Sequence, residues 1–332
     1  MTSSLKGRKV LVTGADGFIG SHLVEQLVEL GADVRAFCLY NSRGSYGWLD
    51  ESRPEIQRAV DFRLGDIRDA NFVRQATKGC DVVLHLAALI AIPYSYLAPE
   101  SFVQTNVQGT LNVLDAARAC DVARVVHTST SEVYGTPATL PIRETHPLNA
   151  QSPYAATKVA ADQLALSYQR SFQVPAVVLR PFNTYGPRQS ARAVLPAILT
   201  QLLAGQREIL LGRLDTRRDL TFVTDTVEGF IRAAVAPGVE GEVVQLGTGH
   251  AVTVQELFDA CCQAVGVDAV ARLDERRLRP DPSEVLVLES DWSRARDVLG
   301  WSPRVTLDAG LRRTVEWLRR HLDAYKPGQL HV

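Results

Sequence analysis

The sequence predicts an α/β fold, a doubly wound parallel sheet followed by a smaller C-terminal α/β lid, and two observations carry that prediction. Short β-branched runs at residues 9–12, 33–39, 82–87, 125–129 and 176–180 alternate with amphipathic helical stretches, which is the pattern of parallel strands joined by crossover helices. The runs are apolar nearly throughout, so helices must cover both faces of the sheet. After Pro181 the elements shorten, Arg-rich loops appear at 212–219 and 276–283, and an amphipathic helix is predicted over 307–322. Residues 1–180 are therefore assigned to the sheet unit and 181–332 mainly to the lid, with some later segments returning to the sheet.

Composition narrows the partners. With 332 residues, 46% of them hydrophobic, the chain can bury a large core. Lys and Arg number 36 against 37 Asp and Glu, so no global field favours nucleic acid or an anionic membrane, and an anion site has to be built locally. Cys38, Cys80, Cys120, Cys261 and Cys262 are odd in number and lack a CxxC spacing, as expected of a reduced cytoplasmic protein. No metal is expected, because the seven histidines show no HExxH or paired spacing. The most apolar stretch, 82–98, is broken by His85 and Pro93, so no membrane segment is predicted. Residues 2–7 read as a loose tail.

The first strand runs into Gly14-Ala15-Asp16-Gly17-Phe18-Ile19-Gly20 and then into a helix predicted over 18–30. Glycines spaced three apart let backbone amides and a helix N-terminus approach a pyrophosphate, which is the logic of a Rossmann dinucleotide turn. The GxxGxxG spacing departs from the common GxGxxG. No acid follows the second strand to bind a ribose 2′-hydroxyl; Arg43 is instead placed to meet a 2′-phosphate, so NAD and NADP both stay open. Asp66, after the third strand, is a candidate acceptor for the adenine amino group and also a candidate N-cap for the next helix.

Tyr154 and Lys158 stand four apart, hence on one helical face. A nearby ammonium lowers a phenol pKa, so Tyr154 is a candidate base for a sugar hydroxyl as hydride leaves for a nicotinamide. The pair lies downstream of a predicted strand ending in Thr128-Ser129-Thr130-Ser131-Glu132-Val133-Tyr134-Gly135.

On these residues the chain resembles the extended short-chain dehydrogenase/reductase family, the NAD-dependent sugar epimerases and dehydratases. The resemblance runs nearly end to end and includes Asp66-Ile67-Arg68, His85-Leu86-Ala87-Ala88, Asn106-Val107-Gln108-Gly109-Thr110, Arg180-Pro181-Phe182-Asn183-Thr184-Tyr185-Gly186-Pro187-Arg188 and Leu299-Gly300-Trp301-Ser302-Pro303. Segments 88–96 and 186–194 resemble more narrowly the nucleotide-N-acetylglucosamine 4,6-dehydratases of legionaminic-acid biosynthesis. The resemblance implies that Gly14, Gly17, Phe18, Ile19, Gly20, Asp66, Ile67, Ala87, Ala88, Asn106, Thr128, Tyr154 and Lys158 surround the dinucleotide. It also implies C4 oxidation by Tyr154 with Lys158 and Thr130, then proton abstraction at C5 by Glu132. A 4,6-dehydratase next expels the C6 hydroxyl and returns the hydride to C6. Many relatives carry an Asp just before this Glu, whereas here Ser131 holds the position, which keeps epimerisation and glucuronate decarboxylation open as alternatives. A non-catalytic dinucleotide-binding protein is the distant alternative.

For the diphosphate of a nucleotide sugar the candidates are Asn183, Arg188, Arg218 and Arg279, with Arg192, Arg213, Arg217, Arg276 and Arg277 crowding the same loops. Phe182, Tyr185 and Trp48 are candidates either for stacking on rings or for core packing. Helices predicted over 101–119 and 153–171 carry apolar faces, and in the family equivalent helices form a four-helix bundle, so a homodimer is expected.

Overall fold

The computed structural model describes residues 4–329. Its first half alternates β1 (Lys9–Thr13), α1 (Phe18–Glu29), β2 (Asp33–Leu39), α2 (Pro54–Ala59), β3 (Val60–Gly65), α3 (Ala70–Thr77), β4 (Val82–His85), α4 (Ile92–Leu97), α5 (Pro99–Phe102), α6 (Gly109–Ala119), β5 (Arg124–Thr128), α7 (Pro153–Phe172) and β6 (Ala176–Pro181). The second half adds β7 (Asn183–Tyr185), α8 (Val194–Leu203), β8 (Glu208–Leu211), β9 (Arg217–Phe222), α9 (Val223–Val235) and β10 (Val243–Leu246). It closes with β11 (Ala251–Thr253), α10 (Val254–Val265), β12 (Val270–Leu273), β13 (Val287–Leu288), α11 (Ser293–Leu299) and α12 (Leu307–Arg320).

Seven parallel strands form the main sheet in the order β10-β6-β5-β4-β1-β2-β3. The β-branched runs at its centre are buried at every position of β4 and β6, as covering helices require. Strand β10 comes from beyond residue 181 and completes the sheet by pairing with β6. Chain order reverses between β1 and β4, and that switch point opens a crevice at the carboxyl ends of the strands. The smaller unit is built on β9, which pairs with β7, β11 and β13.

Local chemistry moved several boundaries. Strand β4 stops at His85, two residues short of the expected end, because the Thr13 hydroxyl captures the amides of Leu86 and Ala87, each at 3.1 Å. The helix expected over 101–119 is interrupted by a π-helical turn, Val103–Gln108, that carries Asn106; such wide turns re-aim side chains. Helix α3 is capped by Asp69, whose carboxylate accepts from the amides of Asn71 and Phe72, so Asp66 is not the cap. The expected tail is only partly a tail: residues 1–3 lie outside the described residues, whereas Leu5 is buried in the main core and the Gly7 amide donates to the Gly31 carbonyl at 2.8 Å. Among the described residues no helix is long and apolar enough to cross a membrane.

Candidate active site

The dinucleotide turn lies at the switch point. Gly14 has φ +67°, and a Cβ there would sit 2.8 Å from the Ala87 amide nitrogen. Gly20 packs so closely that its Cβ would meet the Gly14 carbonyl oxygen at 2.1 Å. Helix α1 starts at Phe18 with Gly17 as its N-cap and no side-chain cap, so its first amides face the crevice unpaired. This cradle fits a pyrophosphate, because backbone donors converge where side chains would collide. Gly14→Ala should therefore impose roughly 1–3 kcal/mol of strain and weaken dinucleotide binding by at least tenfold. A fluorescence titration showing unchanged affinity would contradict that assignment.

Behind the cradle a buried relay fixes the β4 exit. Thr110 Oγ1 donates to the Asn106 carbonyl at 2.6 Å and so accepts from His85 Nε2 at 3.0 Å, which makes His85 Nδ1 the acceptor of the Thr13 hydroxyl at 2.8 Å. Burial holds His85 neutral, well below the usual imidazole range. Asn106 accepts from the Leu89 amide and donates to the Leu89 carbonyl and to Thr157 Oγ1. Its amide thus shapes the loop that carries Ala87 and Ala88. Ile67 packs on Gly109, and its carbonyl is taken by Asn112. The Asp66 carboxylate is held by Arg68 through Nε at 2.9 Å, which lowers its pKa. Arg43 is exposed on the loop after β2, and its amide is held by Asn41 Oδ1.

The catalytic candidates come together at the crevice. Ser152 caps α7, accepting from the Ala155 amide, and Pro153 opens the helix, so Tyr154 stands in the first turn. The phenol is 7% exposed and packs edge-on to Phe102, with ring centroids 6.3 Å apart. Burial raises its pKa above the usual phenol range; a hydrogen bond from Thr130 opposes this, and the Glu132 and Asp162 charges add to it. One helical turn on, Lys158 is buried and donates to the Thr128 carbonyl at 2.5 Å. Thr130 caps the 3₁₀ turn Ser131–Tyr134, accepting from the Glu132 amide. Ser131 is 3% exposed. The Thr128 hydroxyl is buried and unpaired.

Burial also lowers the Lys158 pKa to about 8 from its ordinary value of 10.5. The folded value lies below the unfolded one, so the cost of burying the charge is full below pH 8 and is relieved as pH rises toward 10.5. Measured by denaturant unfolding, wild type should gain stability relative to Lys158→Met across that interval; a constant difference would refute a buried ammonium.

On the substrate side, Arg218 lies beneath the site, drawn on by the Glu132 charge, and Glu284 Oε1 lies 3.5 Å from Arg218 and 3.6 Å from Arg279. Asn183 Oδ1 and Arg279 Nη1 are buried without hydrogen-bond partners, as polar groups awaiting a ligand would be. The crowd of arginines separates by its pairing. Arg213 holds Asp215, Arg276 and Arg277 hold Asp274, and Arg217 donates to the Ala251 carbonyl. Arg192 is exposed. Arg188 makes a bidentate pair with Glu25 of α1, at 2.8 and 3.1 Å, and so joins the two units. All three aromatic candidates are structural. Phe182 and Tyr185 are buried, and Trp48 packs on Trp317 and Tyr325.

Sequence reasoning missed Glu284, which is brought between two arginines only by the loop, and Asp162, whose signal was its place one turn beyond Lys158 on the buried face of α7.

The family model for GDP-mannose 4,6 dehydratase matches residues 11–314. The chain is 36% identical to a UDP-glucose 4-epimerase of Mycolicibacterium smegmatis over 94% of this chain and 98% of that protein. It is 35% identical to a dTDP-glucose 4,6-dehydratase of an Actinoplanes species, again over 94% of this chain and 98% of the relative. Among solved structures it resembles DesIV, the dTDP-glucose 4,6-dehydratase of Streptomyces venezuelae with NAD and TYD bound, at TM-score 0.85 and 32% identity over 96% of this chain and 99% of that one.

Proposed function

The chain belongs to the NAD-dependent nucleotide-sugar epimerase and dehydratase family, and from that premise we propose that it is a 4,6-dehydratase acting on a nucleoside-diphosphate hexose or N-acetylhexosamine. NAD is the cofactor we assign; the Gly14–Gly20 turn and the α1 amides would hold it, and when bound it would supply a hydride acceptor. Nothing paired with Arg43 suggests a 2′-phosphate site, and the DesIV structure carries NAD.

Within this reading Tyr154 takes the C4 hydroxyl proton, while Lys158 and the Thr130 hydroxyl favour the phenolate. The resulting 4-ketone acidifies C5, and Glu132 takes that proton. The C6 hydroxyl then leaves as water, with its proton supplied by protonated Glu132, and return of the hydride to C6 with a solvent-derived proton at C5 completes the 4-keto-6-deoxy product. Asn183, Arg218 and Arg279 hold the diphosphate.

The single observation that carries dehydration is the carboxylate of Glu132, borne on the turn that Thr130 caps and that packs against the helix of Tyr154. Epimerisation at C4 needs only hydride return to the opposite face and has no use for a base at C5. A 4-epimerase is the second reading, favoured by the M. smegmatis relative and by Ser131 standing where an acid would protonate the leaving group. Segments 88–96 and 186–194 support an N-acetylhexosamine substrate of the legionaminic-acid type. The first of them packs around Tyr154 through Leu89, Ile92 and Tyr96. Product mass decides: with NAD and a panel of nucleotide sugars we expect loss of one water, whereas an unchanged mass with a new chromatographic species establishes the epimerase.

We also propose a homodimer through the α6 and α7 region, where Val103 stays exposed while Leu114 and Leu166 are used in the core. Light scattering that reports a monomer would remove this proposal.

A further inference from the structure

Beneath the catalytic pair lies a fully buried carboxylate that the reaction does not use. Asp162 accepts from Ser129 Oγ at 2.8 Å and from Arg180 Nε and Nη2 at 3.0 and 2.8 Å. His127 Nε2 stands 3.3 Å from its other oxygen. Arg180 Nη1 donates to the Tyr134 hydroxyl at 2.9 Å, and that hydroxyl donates to Gln245 Oε1 at 3.1 Å. Gln245 Nε2 continues to the carbonyls of Ile142 and Asp291.

The connections have one geometric consequence. Residues 130–133, which carry Thr130 and Glu132, are bracketed by Ser129 on one side and Tyr134 on the other, and one ion pair grips both. The same pair is rooted in α7 through Asp162, one turn beyond Lys158, whose ammonium grips the neighbouring Thr128 carbonyl. A core ion pair is seldom the most stable filling for its volume, since apolar residues of similar size often serve as well or better. Its use here is registration.

We propose that Asp162 and Arg180 are positioning residues, which set Glu132 and Thr130 against Tyr154 by gripping both ends of the turn that bears them. The charged and titratable groups facing Asp162 are Lys158 on its own helix, His127 from β5, Arg180 from β6 and Tyr134 from the turn, with Glu144 behind Tyr134. Those acting on Tyr154 are Glu132 and Asp162. The inference rests on the functional reading above, so its test includes a measurement that needs no substrate.

Three variants decide it: Tyr134→Phe, Asp162→Asn, and Asp162→Asn combined with Arg180→Gln. Melting temperature and NAD affinity report folding. Titration of the Tyr154 phenol by tyrosinate absorbance in the NAD complex, with Tyr154→Phe as blank, reports the environment of the phenol without turnover. Asp162→Asn should move the Tyr154 midpoint down, because the Asp162 charge that opposes the phenolate is gone, and should lower kcat about a hundredfold with KM little changed. In the double variant the midpoint should stay near that of Asp162→Asn while kcat stays low, because both grips on the turn are gone. Tyr134→Phe keeps the ion pair and so keeps the fold; it should slow the C5 proton step about tenfold and let reduced cofactor accumulate.

Wild-type kcat in the folded double variant, or a Tyr134→Phe enzyme indistinguishable from wild type, overturns the proposal and leaves the assigned reaction standing. If wild type turns over no nucleotide sugar, the functional reading fails, and the phenol titration still decides: an unmoved midpoint in Asp162→Asn overturns the inference as well.

Discussion

Tyr154→Phe should lower turnover by about 10²–10⁴-fold while leaving NAD affinity unchanged, because it deletes the phenol we assign to take the C4 proton and nothing else. The phenylalanine ring keeps the shape that packs edge-on to Phe102 and beside Ile92, so the fold has no reason to change. Two assays check it together: product formation by mass spectrometry and cofactor binding by fluorescence. Turnover within a few-fold of wild type would remove Tyr154 from the role of base. Loss of NAD binding would mean that the ring is structural. The pH profile carries a second signature. Lys158 loses its charge as pH rises through about 8, so its ammonium's grip on the Thr128 carbonyl weakens on the alkaline side, and Lys158→Met should abolish that limb.

Glu132→Gln should split the reaction. The glutamine side chain has nearly the same volume, so Tyr154, Lys158 and Thr130 stay in place and C4 oxidation proceeds. The amide cannot accept the C5 proton, so elimination should fall by about 10²–10⁴-fold and reduced cofactor should build up to a level visible at its nicotinamide absorbance. An epimerase would behave differently. Its C4 inversion would continue nearly unchanged in Glu132→Gln, so this variant tests the base and separates the two readings of the reaction. A variant that fails even to oxidise C4 would place Glu132 at the first step.

The dinucleotide cradle and the proton-transfer pair were legible because their chemistry is written in short spacings. Glycines three apart, between a strand and a helix, describe a turn that a Cβ cannot enter, and the model closes that turn against Ala87. Tyr154 and Lys158 are four apart on one helix, and any helix places them on one face. Thr130 and Glu132 follow the end of β5, where parallel sheets of this topology expose their residues. The substrate arginines were not legible. Arg188 and Arg218 sit in similar polar surroundings along the chain, yet one meets Glu25 from α1 and the other Glu284 from a distant loop. Their fates depend on carboxylates 163 and 66 residues away.

Trp48 shows the same division. Its sequence left ring stacking and core packing both open, and α12 and the residues after it bring Trp317 and Tyr325 onto it. Asp66 differs in a smaller way. The chain offers two acids at a helix start, and the one whose backbone is extended, Asp69, reaches the free amides, leaving Asp66 to Arg68.

By itself, then, the sequence determined the parallel sheet with its covered faces, the glycine turn, and the Tyr154, Lys158, Thr130 and Glu132 set, because hydrophobic period, backbone freedom and helical spacing act over a few residues. Tertiary structure alone decided which carboxylate each of these arginines meets, that Trp48 packs on Trp317 and Tyr325, and that Asp162 with Arg180 brackets the turn carrying Glu132. Those outcomes depend on which charged or aromatic partner arrives from far along the chain, and a long side chain pairs with the partner that folding delivers.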